Sequence, residues 1–160
     1  MSKPNAKKVA VLGATGLVGT EMLKALEHYD FPVSELIALA SPRSAGKKLK
    51  FKGEEIEVKA VAEEHFKGVD IALFSAGGST SKTWAPIAAA QGALVIDNSS
   101  AWRMDPDVPL IVPEVNAADI SYANKKNIIA NPNCSTIIAN TVLFPLHLAA
   151  GLKYINVSTY

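Results

Sequence analysis

The stretch that most narrows what this chain can fold into is VAVLGATGLVGT, Val9–Thr20. Val9 to Leu12 is an unbroken apolar run, the pattern of a strand covered on both faces. Gly13, Gly16 and Gly19 follow at G-x-x-G-x-x-G spacing, and Thr20–Tyr29 then carries Met22, Leu23, Ala25 and Leu26 on one helical face. Strand, glycine turn and helix in that order open a βαβ unit. A strand buried on both faces requires parallel neighbours with helices packed above and below.

The rest of the chain supplies those neighbours. Glu35–Ala40, Asp70–Phe74, Ala93–Ile96, Leu110–Val112 and Asn127–Ala130 read as short strands. Leu49/Phe51 and Ile56/Val58 alternate about Gly53-Glu54, a hairpin pattern. A helix is predicted from about Lys82 to Gln91, interrupted near its start by Pro86, and another over Cys134–Ala150, bent or split by Pro145. The predicted fold is a mainly parallel α/β sheet of Rossmann type with helices on both faces. Tyr154–Tyr160 alternates like a strand and reaches the last residue without a closing turn. That ending predicts a cut at the entry to a further domain: 1–133 as a nucleotide-binding domain, and 134–160 as the first helix and strand of a truncated catalytic and dimerisation domain.

Composition excludes more than it identifies. Apolar residues make up 49% and charged residues 19% of the chain, with a net charge of +1 and no long run of like charge. Nothing there favours nucleic acid or a membrane surface. The start has no signal-peptide apolar region and no 18-residue apolar span occurs, so a cytoplasmic protein is expected. The lone cysteine, Cys134, rules out an internal disulfide and a CxxC metal site, and no metal is expected.

Two patterns carry chemistry. A helix N-terminus offers free N–H groups, and glycines let a pyrophosphate approach the backbone, so Gly13 and Gly16 point to a dinucleotide. The same glycines would also serve a tight turn with close helix packing. The loop ASPRSAGK lacks the acid that holds a ribose 2′-hydroxyl in NAD sites and has Arg43 and Ser44 instead. A guanidinium and a hydroxyl suit a 2′-phosphate, favouring NADP; the alternative is a solvated loop charge. In SAGGSTS, Ser75, Ala76, Gly77 and Gly78 could let backbone lie against the cofactor, or could be a flexible turn. The second pattern is IIANPNCSTIIAN, residues 128–140. Asn131-Pro132-Asn133 ends a strand and Cys134 opens a helix, where a thiolate meets N–H donors. A thiolate beside a nicotinamide suggests covalent aldehyde oxidation through a thioester; a lone cysteine can equally be a small packing residue.

GATGLVG, ASPRSAGK, SAGGSTS, VIDNSSAWRMDPDVPLIVPEVN and NPNCST occur in order along nearly the whole chain, and together they resemble bacterial aspartate-β-semialdehyde dehydrogenase. The resemblance implies reduction of L-aspartyl-4-phosphate by NADPH to the semialdehyde, phosphate and NADP, on the route to lysine, threonine and methionine. It implies Cys134 as the acyl-thioester nucleophile. It also implies Thr15, Gly16, Leu17, Val18, Arg43 and Ser44 as NADP contacts, and Arg103 and Asn133 as phosphate- and substrate-binding residues. The family's substrate-binding glutamine and arginine and its acid/base histidine would follow Tyr160, and His28, His65 and His147 lie in the wrong blocks to replace that histidine. An inactive piece of a homodimeric or homotetrameric enzyme is therefore expected. Two alternatives remain: a reductase of N-acetyl-γ-glutamyl phosphate, whose cysteine usually follows N-P-G where Asn133 stands here, and a non-catalytic NADP-binding module.

Overall fold

The computed structural model describes residues 5–159. Six parallel strands form one sheet in the order β5-β2-β1-β6-β7-β8, where β1 is Lys7–Leu12, β2 Val33–Ala40, β5 Lys59–Ala60, β6 Ile71–Phe74, β7 Leu94–Asp97 and β8 Ile128–Ala130. A separate antiparallel hairpin joins β3 (Lys48–Phe51) to β4 (Glu54–Glu57), with Phe51 opposite Glu54. The hairpin and mainly parallel sheet match the sequence reading.

Period-two alternation sorts the strand side chains onto two faces. Val9, Val11, Leu36, Ala38 and Ala40 pack with Leu23, Met22 and Leu26 of α1 (Leu17–His28). Ala10, Leu12, Ile37, Leu39, Ala72, Phe74 and Val95 pack with Ala85, Ala88 and Ala89 of α2 (Gly78–Ala90). Helices therefore cover both faces, and the continuous apolar strands are explained.

Element boundaries differ from expectation where glycine and proline were read as breakers. Helix α1 starts at Leu17, not Thr20, with Gly16 as its cap and Gly19 buried in its first turn. Helix α2 starts at Gly78, so SAGGSTS is mostly the first turn of a helix and only Ser75–Gly77 is loop. Pro86 and Pro145 interrupt neither α2 nor α4 (Cys134–Ala150). Each removes one N–H, and the carbonyl it orphans belongs to an exposed residue, Lys82 or Thr141. Leu110–Val112 is not a strand: Leu110 makes one isolated bridge to Ala130, and the flanking Pro109 and Pro113 have no N–H to extend the ladder. Residues 151–159 contain no strand. Tyr154, Ile155 and Val157 are exposed and pair with no strand of the sheet, and alternation alone does not make a strand. Tyr160 of that predicted strand lies outside the described residues. The elements that went unread were β5, the short α3 (Pro113–Asn116) and the 3-10 helices Pro42–Ser44, Glu63–Phe66 and Ala117–Lys125. Among the described residues, no helix is long and apolar enough to cross a membrane and no cluster could hold a metal ion.

The glycine turn is the tightest point of the fold. A Cβ on Gly13, which has φ +91°, would lie 2.3 Å from the Ser75 carbonyl oxygen. Gly53, with φ +82°, faces open space at the hairpin tip. Gly53→Ala should cost about 1 kcal/mol, the price of a left-handed backbone alone. Gly13→Ala adds backbone overlap and should cost at least about 2 kcal/mol more. Thermal melts of the two variants should separate them by several degrees, about 2–4 °C per kcal/mol at this size.

Candidate active site

Hydrogen-bond ladders run one residue past the strand ends and align the loops along one carboxyl edge. Gly13 N–H donates to Leu39 O (2.9 Å), Ser75 N–H to Leu12 O (2.8 Å), Asn98 N–H to Phe74 O (2.9 Å) and Asn131 N–H to Asp97 O (2.8 Å). The strand order reverses between β1 and β6, and loops diverging there leave a crevice. A cleft of about 380 Å³ opens at that point, lined by Gly13, Thr15, Gly16, Ser75 and Ala76 among others. Those five had all been read from sequence as cofactor contacts.

Two helix N-termini meet this edge. Neither Gly16 before α1 nor Gly77 before α2 provides a side-chain cap. The first-turn N–H groups, Leu17 and Val18 among them, therefore have no partner inside the helix. Leu17 is 83% exposed although apolar, and Val18 is exposed beside it. Gly77 has φ +85°, a conformation glycine adopts without strain. Ser41, Thr80 and Trp84 also line the cleft and were missed. Thr80 was hidden because SAGGSTS was read as loop rather than as a helix start.

Arg43 and Ser44 lie in a 3-10 turn, Pro42–Ser44, directly after β2. Arg43 is exposed, and among the described residues it makes no ion pair or hydrogen bond. No carboxylate ends β2, where Ala40 is followed by Ser41 and Pro42. Arg43 and Ser44 do not line the cleft themselves; they follow its lining residues Ser41 and Pro42, so a free cation and a hydroxyl stand next to it in the chain.

The second part of the edge holds the thiol. Cys134 is exposed and is the first residue of α4. The thiol is therefore not packed into the core of the described residues. Asn133 caps the helix, its Oδ1 accepting the Ser135 N–H at 3.0 Å, which leaves its amide nitrogen free to donate. Arg103 is half-buried: Nε donates to Asn131 O at 3.0 Å and Nη2 to Asn98 O at 3.2 Å. Asn131 Nδ2 also donates to Asn98 Oδ1 at 2.6 Å. The loops after β7 and β8 are thus bound together around the guanidinium, and Asn131 lies three residues before the thiol. Asn98 and Asn131 were not singled out from sequence, although both sit in the quoted blocks.

A charge pair fastens the same loop farther along. Lys126 Nζ donates to both oxygens of Asp105, at 2.8 and 2.7 Å. That contact first, and the Asp107 N–H second, lower the Asp105 carboxyl below its ordinary value of 3.8.

Residues 8–123 match the family described as semialdehyde dehydrogenase, NAD binding domain. The chain is 62% identical over 154 residues to an aspartate-semialdehyde dehydrogenase of Aquifex aeolicus, covering 96% of this chain and 45% of that protein. The structure of aspartate semialdehyde dehydrogenase II from Vibrio cholerae, complexed with ASA, superposes with a TM-score of 0.89 at 52% identity, covering 92% of this chain and 48% of that one. The aspartate semialdehyde dehydrogenase with NADP from Candida albicans superposes at 0.69 with 29% identity, over 92% and 48% of the two chains. The chain spans about half the length of these relatives.

Three outcomes follow from this geometry. Iodoacetamide should label Cys134 in the native chain, one equivalent per molecule by mass spectrometry, and Asn133→Ala should speed amide exchange at Ser135 while costing about 1 kcal/mol. Because the Asp105 carboxyl is lowered, its ion pair stabilises above the unfolded-state value and is lost as pH falls through the folded-state value. Asp105→Asn should therefore lower the melting temperature at pH 7, and that loss should shrink as the pH falls through the folded-state value.

Proposed function

Because the chain belongs to the semialdehyde dehydrogenase family through its NAD-binding domain, we propose that it is the NADP-binding and thiol-bearing half of an aspartate-semialdehyde dehydrogenase. The reaction is L-aspartyl-4-phosphate with NADPH to L-aspartate-4-semialdehyde, phosphate and NADP. One observation carries the reading: Cys134 is exposed at a capped helix N-terminus, on the same sheet edge as the glycine cleft.

The cleft fits a dinucleotide. A Cβ would overlap backbone at Gly13 and at Gly19, 2.0 Å from Gly13 O, so the turn is as close to α1 as backbone allows. Pyrophosphate would meet the free N–H groups of Leu17 and Val18. Arg43 and Ser44 would hold the 2′-phosphate, and Ser75, Ala76 and Gly77 would border the nicotinamide end. When bound, NADPH supplies the hydride that reduces the acyl carbon.

The chain's own residues would supply the nucleophile and the phosphate contacts. Negative charge on Cys134 Sγ is favoured by the first turn of α4. Sulfur adds to the acyl-phosphate carbonyl; the C–S bond forms, the C–O bond to phosphate breaks, and a thioester remains. After reduction the C–S bond breaks and sulfur leaves as thiolate. Arg103 and the Asn133 amide would hold the departing phosphate.

Proton transfer to the adduct needs a group that the three histidines do not supply. His147 lies 13 residues along α4 from Cys134, about 20 Å by helical rise. His28 ends α1, and His65 precedes β6, both away from the carboxyl edge. Residues 134–160 are read as opening a second structural unit, because Ile138, Val142, Leu146 and Leu148 of α4 are all exposed. That surface suits a further domain or a subunit contact in a homodimer or homotetramer, in a cytoplasmic enzyme.

NADPH should bind more tightly than NADH, and Arg43→Ala should remove about one to two decades of that preference, at about 1.5–3 kcal/mol per charge-assisted bond. Equal affinities in the parent chain, read by titration calorimetry, would defeat the NADP assignment. Semialdehyde, phosphate and NADP mixed with this chain alone should give no NADPH absorbance, since general acid/base help is worth about 10²–10⁴-fold and substrate positioning more. Steady turnover abolished by Cys134→Ala would show that the chain is complete as a catalyst.

A further inference from the structure

Five of the six strands in the main sheet end in an apolar residue: Leu12, Ala40, Ala60, Phe74 and Ala130. The sixth, β7, ends in Asp97, which is fully buried at 0% exposure. A carboxylate removed from water is costly unless it is hydrogen-bonded, and an apolar side chain would fill the same space without that cost. Packing does not explain it.

Its bonds do. Asp97 Oδ2 accepts the Ser99 hydroxyl at 2.6 Å, while Oδ1 is buried with no partner among the described residues. Ser99 Oγ in turn accepts the Ala101 N–H at 3.1 Å. This relay folds residues 97–101 into a turn against the strand end. Trp102 then fastens the far side, its Nε1 donating to the buried Ser81 Oγ of α2 at 2.9 Å. Arg103 follows at once and reaches back to the Asn98 and Asn131 carbonyls. The Asp97 carbonyl meanwhile accepts the Asn131 N–H, so one residue holds both loops that grip the guanidinium.

Two of the three guanidinium nitrogens are thereby committed to backbone. Among the described residues, Nη1 has no acceptor. A guanidinium pinned on two carbonyls presents its remaining N–H groups in one direction, which is what an oxyanion requires. We infer that Asp97, acting through Ser99, is a positioning residue that sets Arg103 as the oxyanion-binding group beside the Cys134 loop. The inference rests on the proposed function only for the identity of the oxyanion, phosphate.

The chain contains two arginines, Arg43 and Arg103, so a ¹H–¹⁵N spectrum has two guanidinium Nε–H signals, assigned by Arg43→Lys. In the parent chain the Arg103 Nε–H should exchange slowly and shift on titration with inorganic phosphate. Ser99→Ala should keep a dispersed backbone spectrum and parent NADPH affinity. It should exchange the Arg103 Nε–H faster and bind phosphate more weakly, each by about tenfold, the scale of one lost hydrogen bond. Asp97→Asn retains an acceptor for Ser99 and should stay near the parent. Asp97→Ala, where it folds, should resemble Ser99→Ala. Unchanged Arg103 Nε–H exchange in Ser99→Ala overturns the inference. A slow Nε–H that Ser99→Ala releases, but that ignores phosphate, supports the positioning role and overturns the phosphate reading of the site.

Discussion

Three backbone segments meet at Gly13 with no side chain between them, and the rest of the molecule depends on that meeting. The exit of β1 touches the exit of β6, where the Ser75 carbonyl occupies the space a Gly13 Cβ would need. The first turn of α1 touches the same glycine from the other side, through Gly19. Any side chain here would push α1 off the sheet or spread β1 from β6. Either movement would close the cleft or misdirect the α1 N-terminus. The glycines serve the tight packing and border the cleft at once, so the tight-turn reading holds and is compatible with the proposed cofactor contact.

From that point the site spreads along the sheet by backbone pairing. Gly13 and Ser75 carry the glycine-cleft side, and Asn98 and Asn131 carry the thiol side. β6 joins them: its first loop residue pairs back to β1, and its last residue, Phe74, accepts the Asn98 N–H. Parallel strands place every βα loop at one edge, so residues separated by more than 100 positions share a row without direct contact. Side chains then refine the row, with Arg103 clamped by two carbonyls and Asn133 spent on the α4 cap.

What could be read from sequence was what short-range pattern encodes. The strands β1, β2, β6, β7 and β8 were legible because each is a compact apolar run, and the cleft residues because glycines sit between a strand and a helix. Helix starts were misplaced by three or four residues because Gly19 and Gly78 lie inside helices, held there by packing and by a tolerant first turn rather than by propensity. The strand expected after Lys153 had alternation but pairs with neither edge of the sheet. Asp97 escaped notice for a different reason. DNSS reads as polar loop, and only the register of β7 against β6 and β8 places that carboxylate inside the core.

Helix α4 shows the same limit from the other direction. Its 17 residues are mostly apolar, yet none is buried. Ile138, Val142, Leu146 and Leu148 alone leave several kcal/mol of burial unused, at about 1.5–3 kcal/mol for each large aliphatic side chain. The N-terminal end of α4 is nevertheless firmly set, through the buried Pro132, the Asn133 cap and the Asn131 bonds to the β7 loop. Cys134 therefore stands where a fixed end meets an uncovered helix. The proposed covalent catalysis would need that arrangement: the sulfur would have to stay in register with the cofactor cleft, and the acyl group it would carry would have to be reached from the other side. The sheet supplies the first requirement, and a structure seated on α4 would be placed to supply the second.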